Sequence, residues 1–289
     1  MDFTILPTQL HQVAAAAELI LRARFNLSPS SLKIEESFDR EISWIPTFYW
    51  KLSTGLIACE VSSDPLPIII TQNFSDLIAS GLPIKLISAY PLTDEMSSKK
   101  YQAMLTKAKQ LGIGLLPINI DENYSGKIEY PGISLTLMLP KINLTKYKNI
   151  FHNHINHCYE LYMNGDPKHG VQELGQIIES ILNSIATKLN QGDPSKLSSF
   201  GSSSSTGRHY PLNTLIEDMI RDNVLSKVFL KKCATFADMR NNTSHRARNL
   251  SDAKRIEQNL KTSFEIGLQI LEELPQETRT AGFTKAVLI

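Results

Sequence analysis

Arg240 and His245 stand five residues apart in the run Asp238-Met239-Arg240-Asn241-Asn242-Thr243-Ser244-His245-Arg246, with Asn241 directly after the arginine. The arginine is always charged and offers a rigid fork of donors that matches a phosphate, and the histidine can take or give a proton near neutral pH. RNA supplies the remaining part. Once a base removes the proton of a ribose 2′-hydroxyl, that oxygen can attack the adjacent phosphorus in line. The protein then has only to stabilise charge and move protons, with no cofactor and no metal.

The elements that must position these groups come next. Five steps at about 100° per residue leave the two side chains about 140° apart on an ideal helix, so one helical face does not hold both. Asn241, Asn242, Thr243 and Ser244 are weak helix formers that compete for backbone hydrogen bonds. A kink or helix junction is therefore expected between Arg240 and His245, with helices over 225–239 and from a Ser251-Asp252 cap to about Leu274, where Pro275 ends the second. Upstream, Asn164-Gly165-Asp166-Pro167 reads as a turn, and Val171, Leu174, Ile177, Ile178, Ile181, Leu182 and Ile185 mark an amphipathic helix. Glu179 lies on that helix as the acid that would hold Arg240 or His245, with Glu173 behind it, and each is also an ordinary surface glutamate. Ser195 to Gly207 is too polar to pack and is expected to be a mobile loop.

With these surroundings the Arg-Asn-Asn-Thr-Ser-His run resembles the Arg-x4-6-His signature of the HEPN superfamily. Glu160 to Glu179 looks like that family's first helical hairpin and Leu212 to Ile220 like the long helix that leads toward the motif. The resemblance covers about residues 146 to 275. It implies an all-α bundle that dimerises, with the motifs of two protomers facing one another, commonly as a metal-independent ribonuclease. In that role Arg240 binds the scissile phosphate, His245 is general acid or base, and Asn241 orients substrate or partner. Such proteins often serve as toxins or antiviral-defence effectors, with an antitoxin or defence partner.

The first half of the chain has a different character. A helix over 8–24 is followed by strands at 41–46, 48–52 and 56–61, a helix near 73–80, a strand at 84–89, a helix over 101–111, a strand at 114–119, and a turn with two more short strands over 121–140, one of them from Ile133. Such alternation predicts an α/β sandwich with a mixed sheet, giving an α+β two-domain chain divided as 1–145 and 146–289. Ile45-Pro46-Thr47 followed by Ile57-Ala-Cys-Glu60-Val61-Ser62 looks like the core of the restriction-endonuclease fold. Active members carry an Asp after the proline and an acid two places before a lysine, to hold Mg²⁺ and assist water. Thr47 and Ser62 stand at the Asp and Lys positions. Only Glu60 remains, so this domain is expected to be no metal nuclease unless Asp39, Glu41 or Asp64 joins it.

Composition fits a soluble globular chain, 42% hydrophobic and 20% charged over 289 residues. Residues 1–140 hold 11 basic and 14 acidic side chains and residues 141–289 hold 19 and 15, or −3 and +4, so the basic excess lies with the proposed RNA site. Arg246, Arg248, Lys254 and Arg255 are its densest piece and could track a phosphate backbone or simply face water. Three cysteines without a CxxC pair argue against structural disulfides. His152, His154, His157 and Cys158 are normal zinc ligands by type, yet an apolar stripe of Phe151, Ile155, Tyr159 and Tyr162 runs through them, and no metal is expected. No run reaches the ~18 apolar residues of a membrane span, and the first residues do not read as a secretory leader, so a cytoplasmic protein is expected.

Three functions follow as expectations: an endoribonuclease with RNA as substrate, acting as a homodimer through its helical domain; a non-catalytic nucleic-acid or nucleotide sensor; and a Mg²⁺-dependent DNA nuclease centred on Glu60.

Overall fold

The computed structural model of the chain describes residues 3–40, 42–205, 210–243 and 246–283. Its backbone divides into two units. The first takes Met1–Lys141 with Met163–Gly165 and Ala247–Gln258, and the second takes Ile142–Tyr162, Asp166–Arg246 and Asn259–Ile289. Division by sequence alone placed one cut after residue 145. The first unit also claims two later segments, which a linear reading does not show.

In the first unit α1 (His11–Phe25) precedes β1 (Leu32–Ile34), β2 (Phe48–Leu52) and β3 (Gly55–Val61), followed by α2 (Ile68–Ala79), β4 (Ile84–Pro91), α3 (Lys99–Gln110), β5 (Gly114–Asn119) and β6 (Ser125–Gly126). The strands lie side by side in chain order in one mixed sheet. β1, β2 and β3 pair antiparallel, β4 and β5 add in parallel, and β6 closes antiparallel. Alternation of side chains sends Phe48, Trp50, Ile57, Cys59, Ile87 and Ala89 toward Val13, Ala17 and Leu21 of α1. The other face sends Tyr49, Leu56, Ala58, Leu86 and Tyr90 toward Ile70 and Leu77 of α2 and Leu105 and Ala108 of α3. A sheet covered on both faces needs strands that are apolar almost throughout, and in β4 only Lys85 departs from full burial. Lys85 donates to the Gly132 carbonyl at 3.2 Å. Close by in the same unit, Glu257 accepts from Ser134 Oγ at 2.9 Å and from Thr136 Oγ1.

Two expected strands do not form. Ile42 and Trp44 are buried, but residues 42–46 pair with no strand, because Pro46 has no N–H to give and holds its predecessor away from a regular ladder; Glu41 lies outside the described residues. From Ile133 the chain makes one bridge, Ser134 to Lys85, and a single 3₁₀ turn at Leu135–Leu137. Its alternate burial of Ile133, Leu135, Leu137 and Leu139 mimics a strand without the hydrogen bonds of one.

The helical unit is built from α4 (Asn149–Met163), α5 (Pro167–Gly192), α6 (Ser198–Ser205), α7 (Leu212–Arg221), α8 (Lys227–Asn242) and α9 (Leu250–Thr280), the last shared between units by its residue ranges. Asp166 caps α5 by accepting from His169 N at 3.1 Å, and Pro167 opens it, a position where a missing N–H costs nothing. Val171, Leu174, Ile178, Leu182 and Ile185 are its buried stripe. On α9, a Cβ at Gly267 would stand 2.5 Å from Leu174 Cδ2 and 3.0 Å from Phe236, so α9 lies tight on α5 and α8.

Three expectations for this unit are overturned. Ser198–Ser205 is a helix rather than a mobile loop: Leu197 and Phe200 are buried anchors, the Leu197 N–H donates to Asp222 Oδ2 at 2.7 Å, and Phe200 meets Tyr210 edge-on at 5.6 Å. Residues 206–209 lie outside the described residues, as does the tail from 284 onward. α9 is capped by Asn249, whose side chain accepts from Asp252 N at 2.9 Å, and not by Ser251. It also runs through Pro275, since Leu271, Leu274 and Thr278 on either side are buried and their packing offsets the one hydrogen bond that proline removes.

Candidate functional site

Phe229, Cys233 and Phe236 form the buried stripe of α8, and Arg240 continues it at the same four- and three-residue spacing. A charged side chain at the end of a core stripe needs a partner or a route to water. Arg240 has both. Its Nη1 lies 3.7 Å from Oε2 of Glu179 on α5, and the two side chains keep 20% and 24% exposure. The space exists because Gly175, one turn before Glu179, has no side chain: a Cβ there would stand 2.6 Å from Arg240 Nη1 and 2.9 Å from its Cδ.

α8 ends inside the Arg240–His245 run, where a helix junction is expected, three residues beyond the expected end at 239. Arg240, Asn241 and Asn242 belong to the last turn of α8, and the cap is Thr243, whose N–H and Oγ1 both donate to the Arg240 carbonyl at 3.3 and 2.7 Å. Thr243 is 4% exposed, and that burial together with the back-bonded hydroxyl carries the helix past residues of weak propensity. Asn241 is exposed and follows Arg240 by about 100° around the axis. Ser244 and His245 lie outside the described residues.

Glu173 faces His169 at 3.3 Å, and among the described residues Arg240 pairs with Glu179. The basic residues that follow are all exposed, but they divide: Arg246 belongs to the helical unit, and Arg248, Lys254 and Arg255 to the segment of the first unit. Arg255 donates to Asp252 Oδ1 at 3.2 Å. Gly175 is the residue that sequence reasoning missed. Its one signal was an isolated glycine inside a strongly amphipathic helix, which costs about 1 kcal/mol against alanine and so asks for a packing or functional reason.

An open polar face runs along α5 from Gln176 to Gln191. Among the described residues six uncharged amide and hydroxyl side chains line it together with Glu179 and Lys188, so the carboxylate that holds Arg240 also belongs to that face.

The residues singled out in the sheet unit are close together but differently used. Trp44 Nε1 donates to Glu60 Oε2 at 3.1 Å, and Thr47 Oγ1 accepts from Val61 N at 3.0 Å. Burial pushes the Glu60 carboxyl up to about 7, against the Trp44 N–H and the Thr47 backbone, which favour its charged form. Ser62 Oγ donates to the Asp64 carbonyl at 2.6 Å, and Asp64 is exposed in that turn. Thr47 and Ser62 thus serve the backbone where the resemblance would need an acid and a lysine, and a carboxyl that is half protonated near neutrality is a weak Mg²⁺ ligand. Among the described residues no three His, Cys, Asp or Glu side chains gather as a metal site. In α4 His154 and His157 are exposed, whereas Cys158 is buried and its thiol is pushed up to about 12. Among the described residues no helix is long and apolar enough to cross a membrane.

Comparison of the chain with protein-family models, with curated proteins and with solved structures found no match. Function is therefore argued from the side chains alone.

Proposed function

We propose that this chain is a metal-independent endoribonuclease of the HEPN type, working as a homodimer. The observation that carries the proposal is Arg240: a guanidinium brought to the end of a core stripe, seated over a glycine and held by Glu179 on the open polar face of α5.

In the proposed reaction a base takes the proton of a ribose 2′-hydroxyl. The 2′-oxygen forms a bond to phosphorus, the bond from phosphorus to the 5′-oxygen breaks, and that oxygen leaves with a proton from an acid. His245 fills one proton-transfer role, Arg240 neutralises the developing charge on the phosphoryl oxygens, and Asn241 orients substrate or the second copy. The products end in a 2′,3′-cyclic phosphate and a 5′-hydroxyl. Exposed Arg246, on the same unit as Arg240, supplies charge for the flanking backbone, and exposed Arg248, Lys254 and Arg255 are basic side chains of the first unit. The sheet unit is, in this proposal, a restriction-endonuclease-like domain without its metal chemistry, and the biological setting is that of a cytoplasmic toxin or antiviral-defence effector answering to an antitoxin or defence partner.

The test is incubation of the purified protein with RNA and with DNA, with and without chelator, beside Arg240→Ala, His245→Ala and Glu60→Ala. RNA cutting that resists chelator and disappears in the first two variants supports the proposal. Binding without cutting would make the protein a non-catalytic nucleic-acid or nucleotide sensor, and chelator-sensitive DNA cutting lost in Glu60→Ala would make it a metal nuclease.

A further inference from the structure

The face of the sheet under α2 and α3 carries hydroxyls that the chain itself does not use. Glu60 on β3 and Ser88 on β4 are partners in the parallel register, and alternation with Ala58, Leu86 and Tyr90 turns both toward those helices. Tyr90 follows on the same face, and Tyr101, in the first turn of α3, meets it edge-on at 6.1 Å. Ser88 and Tyr90 are fully buried and Tyr101 is 4% exposed. Among the described residues their three hydroxyls reach no hydrogen-bond partner, and all three are sealed from solvent. The two tyrosine hydroxyls are neighbours and each acts on the other, yet neither closes on the other as a full hydrogen bond. Buried polar groups are nearly always paired, and one left unpaired weakens the fold, so three in one place ask for a reason. Glu60 beside them is only partly buried, and it accepts from Trp44 Nε1 at 3.1 Å and from the Thr47 backbone.

We propose that Glu60, Ser88, Tyr90 and Tyr101 bind the ribose of a nucleoside at the carboxyl ends of β3 and β4, where ligands of parallel sheets gather. A vicinal diol supplies what this set lacks. Its hydroxyls donate to the carboxylate and accept from serine or tyrosine, and a carboxylate near a strand end is an established holder of ribose. Burial pushes both tyrosine hydroxyls up, so they stay protonated donors. The surroundings suit a base. Ser43 Oγ donates to Asn73 Oδ1 at 2.9 Å and Asn73 Nδ2 to the Ile69 carbonyl at 2.8 Å, which draws the segment carrying Trp44 and Ile45 onto the first turn of α2. Ile45 and Ile69 are exposed there and offer apolar surface to a heterocycle. A phosphate is the weaker occupant, because the carboxylates of Glu60 and Asp64, the latter close enough to act on Tyr101, repel it.

The ligand enters by turning Tyr101 outward, since it is the member of the set that stands on a helix start and not within the sheet. The site does not rest on the ribonuclease proposal and gives the sheet unit a binding role of its own.

The test is calorimetric titration of the full chain with adenosine, guanosine, cytidine and uridine at millimolar concentration, beside melting curves. At least one of them is expected to bind and to raise the thermal midpoint. Its 2′,3′-dideoxy analogue should bind about tenfold or more weaker, because it leaves the protein hydroxyls unmet, and free ribose should bind more weakly than the nucleoside. Ser88→Ala and Tyr101→Phe separate a site from a mere defect of packing: each removes an unpaired hydroxyl, so each should melt at or above wild type without ligand while its dissociation constant rises about tenfold or more. Glu60→Gln should weaken binding likewise. No binding by any of the four, equal binding of the dideoxy analogue or of free ribose, or unchanged affinity in all three variants would overturn the site. None of these readouts uses RNA. A protein that binds the nucleoside and leaves RNA intact sinks the ribonuclease and spares the site, and one that cuts RNA and ignores nucleosides does the reverse.

Discussion

Gly175 and Arg240 occupy one another's space: an ordinary Cβ at the glycine would fall 2.6 Å from the guanidinium Nη1 and 2.9 Å from Cδ. Contact with the flexible end of a side chain is relieved by moving that side chain, so substitution at 175 displaces Arg240 and leaves the backbone in place. Alanine also gains about 1 kcal/mol of helix propensity over glycine. Gly175→Ala is therefore expected to keep or raise the thermal midpoint while RNA cutting falls about tenfold or more, and Gly175→Leu to lose cutting altogether. Melting curves beside initial rates check the split. A variant that loses both together would mark Gly175 as a packing residue only.

Glu179→Gln keeps the shape of the Arg240 partner and removes its charge. An ion pair at 3.7 Å with both groups part-exposed contributes about 1 kcal/mol or less, so stability should hardly change. Cutting should fall, because the guanidinium loses its anchor. Arg240→Lys should not rescue, since a lysine lacks the planar fork that grips two phosphate oxygens. Rates for the three proteins at matched folded fraction decide it.

Glu60 makes the stability of the chain depend on pH in a stated direction. Its carboxyl rises from the ordinary 4.5 to about 7, so between those values the folded chain holds a proton that the unfolded chain has released. The favourable contribution is complete below about pH 4.5 and is lost as pH climbs through 7, for a total on the order of 3 kcal/mol. Glu60→Gln should be more stable than wild type above pH 7 and should flatten the slope between pH 5 and 8. Denaturant melts across that range test it, and identical slopes in the two proteins would contradict the burial argument.

Glu257 is the shared acceptor of the Ser134 and Thr136 hydroxyls. Glu257→Ala leaves both without it and removes the carboxylate whose charge supports the half-buried Lys85 ammonium. A loss of about 1–3 kcal/mol is expected in chemical denaturation, and a smaller one for Glu257→Gln, which can still accept.

Much of the sheet could be read from the chain. β2 and β5 stand at the residues where alternation and the flanking turn put them, because strands buried on both faces are apolar runs of the right length. β1 could not be read: three residues of half-buried Leu32-Lys33-Ile34 carry no period. Pro275 shows the opposite failure. A local rule ends a helix there, and buried neighbours on both sides override it. At the candidate site, residue chemistry named Arg240, and helical periodicity named Glu179 as an acid that would hold it or His245; the structure puts Glu179 3.7 Å from Arg240. Gly175 escaped because its role lies in atoms it lacks.

The most direct test of the ribonuclease is the chemistry of the cut. Labelled RNA incubated with the purified protein in excess chelator should give fragments ending in a 2′,3′-cyclic phosphate and a 5′-hydroxyl, with rates lowered about 10²–10⁴-fold in His245→Ala and at least comparably in Arg240→Ala. RNA left intact by the wild-type protein, or cut at unchanged rate by both variants, would contradict it.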